Sequence, residues 1–288
     1  MLEIISCSRR TDIPAFYYEW LQEVLRKKYV LVPNPYNNST YMVDLAPERV
    51  HSICLWSKTF ANVLKDPGLL ALYNLYFQFT ITGYAHTLEP KVPEPKEAVR
   101  QMEKLAFKYS PQQINWRFDP IIFSGLGEKE PLIDTLALDD LARARLKVFE
   151  ALCRDISSFG VKRCTISFLS LYKKVEQRME RANFTYLVPS QEEQREFVSR
   201  LVEVAAKYGV SIYTCSSPLL EGVPGVNKGH CIDGEYLEML FGKRASHAKD
   251  AGQRKECGCT RSRDIGAYRG QSCEHGCLYC YANFISKK

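Results

Sequence analysis

Short apolar segments alternate along the chain with longer stretches of helical periodicity. The segments "LEIISCS" (2–8), "YVLVPNP" (29–35), "HSICLWS" (51–57), "YFQFTITGY" (76–84), "INWRFDPI" (114–121), "RCTISFLS" (163–170) and "VSIYTCSS" (210–217) have the length and the β-branched and aromatic content of strands. A helix is predicted over 9–28, with Asp12 or Thr11 as cap and Pro14 in the first turn. Further helices are predicted over 95–109, over 138–159 up to Gly160, over 172–183, and over 190–208 up to Gly209. Strands and helices in this alternation predict an α/β fold around a parallel sheet.

The polar positions refine that expectation. Purely structural parallel strands are buried on both faces and run apolar throughout. Here "FQFTIT" sets Gln78, Thr80 and Thr82 opposite Phe77, Phe79 and Ile81, and "INWRFD" sets Asn115, Arg117 and Asp119 opposite Trp116 and Phe118. Thr165 aligns with Ser167, and Ser211 with Tyr213 and Cys215. One such residue can simply satisfy a loop backbone. Four strands with polar positions near their carboxyl ends predict a TIM-like full or partial (β/α) barrel with a ligand at its mouth. The barrel is expected over 1–217. From 218 the pattern breaks into Gly- and Pro-rich sequence, so 218–288 is expected as a cysteine-rich appendage packed on the barrel. Its apolar content is too thin to fold alone without metal.

Composition changes the picture in two places. The formal charge is +6, from 39 Lys+Arg and 33 Asp+Glu, which is mild and permits a nucleic acid without requiring one. The chain has no apolar run near the roughly 18 residues of a membrane span and no signal-peptide stretch, so a cytoplasmic protein without a membrane partner is expected. In that compartment thiols stay reduced, and clustered cysteines point to metal rather than disulfides. Five of the eleven cysteines lie in the last 32 residues.

The terminal "CEHGCLYC" places Cys273, Cys277 and Cys280 at spacings of four and three. Iron–sulfur clusters are held by thiolates in such tight runs. Three thiolates on a 4Fe-4S cubane leave one iron open to an exogenous ligand. Gly276 permits close backbone approach, and Tyr279 offers an aromatic shield.

This stretch resembles the radical S-adenosylmethionine (SAM) signature, CxxxCxxC with an aromatic before the last cysteine. That resemblance implies a 4Fe-4S cluster that binds SAM, its reductive cleavage to a 5′-deoxyadenosyl radical, a (β/α) barrel, and an electron donor such as ferredoxin or flavodoxin. Radical SAM chains usually carry the motif after the first strand, whereas here it is at the far end. The segments "SCSRRTDIPAFY", "FQFTITGY", "WRFDPI" and "CGCTRSRDIGAY…CEHGCLYCYAN" resemble a prokaryotic domain-of-unknown-function family that carries such a cluster at its C-terminus. "RFDPI" looks, more weakly, like the Arg-x-Asp-Pro stretch of spore photoproduct lyase-like proteins. A loop arriving from the C-terminus can cover the same barrel mouth, so residues 273–280 are expected near Arg117 and Asp119.

Cys215, Cys231, Cys257 and Cys259 fall on or after the last strand and are expected to ligate a second 4Fe-4S cluster, with zinc as the alternative and His230 or His247 as substitutes for one ligand. Residues 243–264 hold seven Lys/Arg against three Asp/Glu. These cations either offset thiolate charge or bind nucleic acid. Cys7, Cys54, Cys153 and Cys164 read as small buried hydrophobes. Arg117 and Asp119 either orient SAM or pair with each other. Arg9 and Arg10 either hold an anion or join a cap network with Asp12. Gln78, Thr80 and Ser167 complete the ligand-facing set, and Asp264 and Tyr268 lie between the two cysteine groups. The function expected is a radical SAM enzyme acting on an unidentified small molecule or nucleic acid. The alternative is a non-catalytic zinc or iron–sulfur protein, with nucleic acid as a candidate ligand.

Overall fold

A computed structural model describes residues 2–34, 37, 39–84, 86–124 and 138–282. The strands are β1 (Glu3–Cys7), β2 (Tyr29–Pro33), β3 (Thr40–Asp44), β4 (Val50–Ser57), β5 (Leu75–Thr80), β6 (Ile114–Ile121), β7 (Arg163–Phe168), β8 (Ser211–Thr214), β9 (Val226–Lys228) and β10 (Arg263–Asp264). The helices are α1 (Ile13–Phe16), α2 (Tyr18–Lys27), α3 (Ala61–Lys65), α4 (Pro95–Lys108), α5 (Leu138–Ser158), α6 (Lys173–Arg181), α7 (Gln191–Lys207), α8 (Pro218–Glu221) and α9 (Gly234–Phe241). Eight strands form one sheet in the order β10-β1-β4-β5-β6-β7-β8-β9, with every neighbouring pair parallel. The fold is therefore mixed α/β around a large parallel sheet.

Six of the seven predicted strands lie in this sheet in chain order. The segment 29–35 does not. Its β2 pairs antiparallel with β3 in a separate hairpin. The reason is visible in its burial, which alternates along the strand, with Leu31 61% and, across from it, Met42 65% exposed. A strand inside a parallel sheet is covered on both faces, and this one has apolar partners on only one. The two edge strands, β9 and β10, are three and two residues long and gave no periodic signal. Both come from 218–288, so this segment contributes directly to the sheet. The predicted helix over 9–28 is two helices broken at Tyr17, and Asp12 caps the first by accepting from the Ala15 N–H at 3.0 Å. No described helix is long and apolar enough to cross a membrane.

Strand alternation sorts the two faces of the sheet. Ile53, Leu55, Phe77, Phe79, Trp116, Phe118 and Ile166 join one core with Leu21, Met102, Leu105, Phe149, Val198 and Leu201 of the flanking helices. Trp116 stacks on Phe149 with ring centroids 5.3 Å apart, and its indole N–H donates to the Ile81 carbonyl at 2.9 Å. The opposite face is polar. Pairing sets Trp56 opposite Gln78, Gln78 opposite Asn115, Thr80 opposite Arg117, and Arg117 opposite Thr165. The Asn115 amide donates to Gln78 Oε1 at 2.7 Å, and the Thr165 hydroxyl donates to Asn115 Oδ1 at 3.1 Å. These groups are fully or nearly fully buried, and the chain of bonds satisfies them. Part of this face is closed by Leu237 of α9 packing with Ile4, Cys54, Tyr76, Ile232 and Ala245.

Trp116→Ala removes the largest buried side chain beside Arg117 and is expected to cost about 3–5 kcal/mol. Denaturant unfolding checks this, as a lower midpoint with an unchanged slope.

Candidate metal and ligand site

Parallel pairing brings all strand carboxyl ends to one edge, and a cavity of about 580 Å³ opens there. All seven cysteines singled out from the sequence line it: Cys215, Cys231, Cys257, Cys259, Cys273, Cys277 and Cys280. Arg9, Arg10, Thr80, Arg117, Asp119, Ser167 and Tyr279 line it as well. Gln78 does not. It is fully buried, and its side-chain amide donates to the Cys231 carbonyl at 2.5 Å, so it holds a cysteine backbone.

The terminal cysteine loop is fastened at several points. Gly276 adopts a left-handed conformation (φ 74°), which turns the chain between His275 and Cys277. His275 is buried, with Nε2 2.8 Å from Asp12 Oδ2 and Nδ1 3.2 Å from the Lys91 carbonyl. The Lys91 N–H donates to the His275 carbonyl at 3.0 Å, and the Leu278 N–H to the Leu88 carbonyl at 3.0 Å. Arg178 donates to the carbonyls of Leu278 (3.0 Å) and Cys280 (2.6 Å). Beneath the loop, Tyr279 donates its hydroxyl to Glu89, which also accepts from Lys58 at 2.8 Å and Thr82 at 2.7 Å. Burial alone would raise the Glu89 pKa, but the Lys58 charge and these hydrogen bonds bring it below the ordinary glutamate value. Lys58 is raised in turn, since Glu89 outweighs the burial that would lower it.

Burial pushes the Cys273 thiol up to about 12, with Asp12 adding to the shift, and lifts Cys277 well above its ordinary value against the pull of Lys58. Such groups are neutral thiols at neutral pH. They do not suit a nucleophile, and each would have to lose its proton to ligate a cation.

The second group is tighter. Cys215 follows β8, Cys231 follows β9, and Cys257 and Cys259 precede β10. Cys215 Sγ lies 3.8 Å from both Cys257 Sγ and Cys259 Sγ. Among the described residues these three are the one group of potential ligands whose donor atoms all lie within 4.8 Å, so they can hold a metal ion. Cys231 lines the same cavity and stands outside that 4.8 Å group. Arg117 Nη1 donates to Cys231 Sγ at 3.2 Å. Neither histidine enters the group. His230 lies against Gly258, where an added Cβ would sit 2.3 Å from Nε2, and His247 pairs with Glu238 at 2.9 Å.

Arg117 forks onto Asp119, with Nε–Oδ1 at 3.1 Å, and lies over the Trp56 ring at 5.2 Å. Asp119 and Cys231 push the Arg117 pKa up, although burial alone would lower it. Ser167 Oγ reaches Asp119 Oδ2 at 3.4 Å. Arg9 and Arg10 pair with Asp264, each at 3.9 Å, whereas Asp12 is taken by His275, Ser57 and the Lys58 N–H. Asp264 also accepts from Ser6, Ser8 and the Arg9 N–H. Several cations of 243–264 are used internally: Arg254 on the Tyr172 hydroxyl at 2.5 Å, Lys249 on the Lys255 carbonyl, and Arg263 with Glu3 at 3.7 Å.

Sequence reasoning missed Lys58, Glu89, His275 and Trp56. Lys58 had a usable signal, being the first charge after the apolar strand β4. Glu89, in a loop of no clear period, had none.

The sequence profile of the family described as a domain of unknown function, DUF1848, matches residues 4–282, and the chain belongs to that family. No curated protein matches it.

Glu89→Gln leaves the Lys58 ammonium buried without its counter-charge and is expected to cost about 3–5 kcal/mol. Lys58→Met in the same chain recovers most of that, because the glutamine still accepts from Tyr279 and Thr82. Calorimetry of the three proteins checks both steps. Since Glu89 titrates lower folded than unfolded, its contribution is present above the ordinary value of 4.5 and lost as pH falls through the folded value. Wild-type stability should therefore fall more steeply than that of the variant on acidification from 4.5 down to the folded value.

Proposed function

We propose that this protein is a radical SAM enzyme whose SAM-binding 4Fe-4S cluster is held by Cys273, Cys277 and Cys280. The observation that carries the reading is the fastening of a CxxxCxxC loop at a cavity on the carboxyl edge of a parallel sheet. In this reading the open eight-stranded sheet is a partial (β/α) barrel, with β9 and β10 as its unjoined edges.

The donor set fits the cluster. Three buried or half-buried thiols face one cavity, and they are not all drawn within 4.8 Å of one another as the Cys215 group is. A cubane needs that room, because its ligating sulfurs lie roughly 6 Å apart around four irons. The cavity volume suits a cofactor with a small substrate, within the roughly 300–1,000 Å³ usual for such sites. When bound, the cluster and SAM together supply one-electron reductive cleavage and a 5′-deoxyadenosyl radical, with the electron delivered by a donor of ferredoxin or flavodoxin type.

The chain's own residues supply placement. His275, gripped by Asp12, and Tyr279, gripped by Glu89, keep the three thiols in register with the strand ends. Lys58 places a buried positive charge beside Cys277 and the Tyr279 ring, which offsets thiolate charge. Arg117 and Asp119 offer a fork and a carboxylate to the polar groups of SAM or substrate, with Thr80 and Ser167 as hydroxyl partners. Tyr172 and Tyr281, with ring centroids 6.1 Å apart at the cavity rim, restrict water. The substrate is an unidentified small molecule or nucleic acid.

Anaerobically reconstituted protein is expected to carry about four irons at the terminal cysteines and, once reduced, to convert SAM to 5′-deoxyadenosine and methionine. Cys277→Ser should abolish both the iron and the cleavage. Failure of a fully reconstituted, reduced sample to cleave SAM would instead favour a non-catalytic metal protein.

A further inference from the structure

The four cysteines outside the terminal loop carry a separate conclusion. We infer that Cys215, Cys231, Cys257 and Cys259 form a tetrathiolate zinc site that clips the two edges of the sheet together over the cavity.

The spacing selects the metal. A tetrahedral zinc with Zn–S bonds of about 2.3 Å sets its sulfurs about 3.8 Å apart. Cys215 Sγ stands 3.8 Å from Cys257 Sγ and 3.8 Å from Cys259 Sγ. A disulfide would need about 2.05 Å. A second cubane would need roughly 6 Å between thiolates, and three sulfurs drawn this close leave no room for four irons among them. Of the two metals expected at this site from the sequence, the geometry favours zinc. Cys215, Cys257 and Cys259 supply three ligands within 4.8 Å of one another, and Cys231, which lines the same cavity outside that group, supplies the fourth by closing on the metal. The four thiols lose their protons on binding, and no electron is exchanged.

The surroundings support a doubly negative zinc tetrathiolate. Arg117 donates to Cys231 Sγ at 3.2 Å, and Arg9 lies close enough to Cys259 and Cys231 to feel both charges. Gln78 fixes the Cys231 carbonyl, and the Thr260 N–H donates to the Ile232 carbonyl at 2.9 Å, tying the two ligand loops together. Such partners orient ligands and tune a metal from outside its coordination sphere. A Cβ at Gly258, between Cys257 and Cys259, would sit 2.3 Å from His230 Nε2 and would have to displace the imidazole.

Topology gives the zinc its role. Cys215 and Cys231 follow β8 and β9 at one edge of the sheet, while the Cys257–Cys259 segment leads into β10 at the other. In the described sheet these edges are not paired to each other. One metal bound by residues up to 44 positions apart bridges them and fixes a wall of the cavity that the terminal loop also lines. Arg117, bonded to both Cys231 and Asp119, transmits the position of that wall to the ligand-facing carboxylate.

This conclusion is independent of the radical SAM reading, and its test separates the two. Full-length protein from zinc-supplemented cells, purified without iron reconstitution, is expected to hold one zinc per chain. Zinc-edge X-ray absorption should fit four sulfurs at about 2.3 Å. Cys257→Ser should lose the zinc, while Cys277→Ser keeps it and loses only iron. If Cys257→Ser does not fold, cobalt substitution of the wild-type chain decides, since a tetrahedral thiolate site gives intense ligand-field and thiolate-to-cobalt bands. Wild-type protein that holds no zinc but takes up a second set of four irons, or a metal shell containing nitrogen or oxygen, would overturn the inference.

Discussion

Parallel pairing is the constraint on which the rest of the molecule depends. Eight strands running in one direction leave their carboxyl ends on one edge, so residues placed late in each strand converge. Asp12 after β1, Lys58 after β4, Thr80 in β5, Asp119 in β6, Ser167 in β7 and Cys215 after β8 are far apart in sequence and line one cavity. The apolar face supplies the rigidity. Phe77, Phe79, Trp116 and Phe118 are wholly buried, which fixes the register of the polar residues that alternate with them.

Charge sets the second level of organisation. Three cations facing the cysteine groups are already paired with carboxylates: Lys58 with Glu89, Arg117 with Asp119, and Arg9 with Asp264. The cations therefore hold their positions without help from any metal. A buried ammonium or guanidinium without such a partner would be costly, and one held in place offers a prepaid counter-charge to thiolates. Burial raises the Cys273 and Cys277 thiols, so any metal bound there would have to displace their protons.

Much of this was legible in the sequence, and the gaps have physical causes. The alternation in "FQFTIT" and "INWRFD" announced both faces of the sheet, because a period of two survives whatever packs against it. The same logic failed for "YVLVPNP", whose alternation is that of a half-exposed hairpin. The spacing of Cys273, Cys277 and Cys280 was readable because all three are local. The convergence of Cys215 and Cys231 with Cys257 and Cys259 depends on the sheet order, and only structure gives their 3.8 Å spacing. Arg117 and Asp119 were found but had two readings. They pair with each other and also face the cavity. Gln78, assigned to ligand from its strand face, lies one layer deeper and serves the Cys231 backbone. Glu89 was invisible, because its importance comes from Lys58 and Tyr279, which approach it from 31 and 190 positions away.

The central claim is that the three terminal thiolates hold a cluster with one iron open to SAM. Electron paramagnetic resonance of the reduced, reconstituted protein, recorded with and without SAM carrying nitrogen-15 in its amino group, tests this most directly. An open iron should give a reduced 4Fe-4S signal that shifts on addition of SAM and shows hyperfine coupling to the labelled nitrogen. A signal unchanged by SAM, with no such coupling, would contradict it.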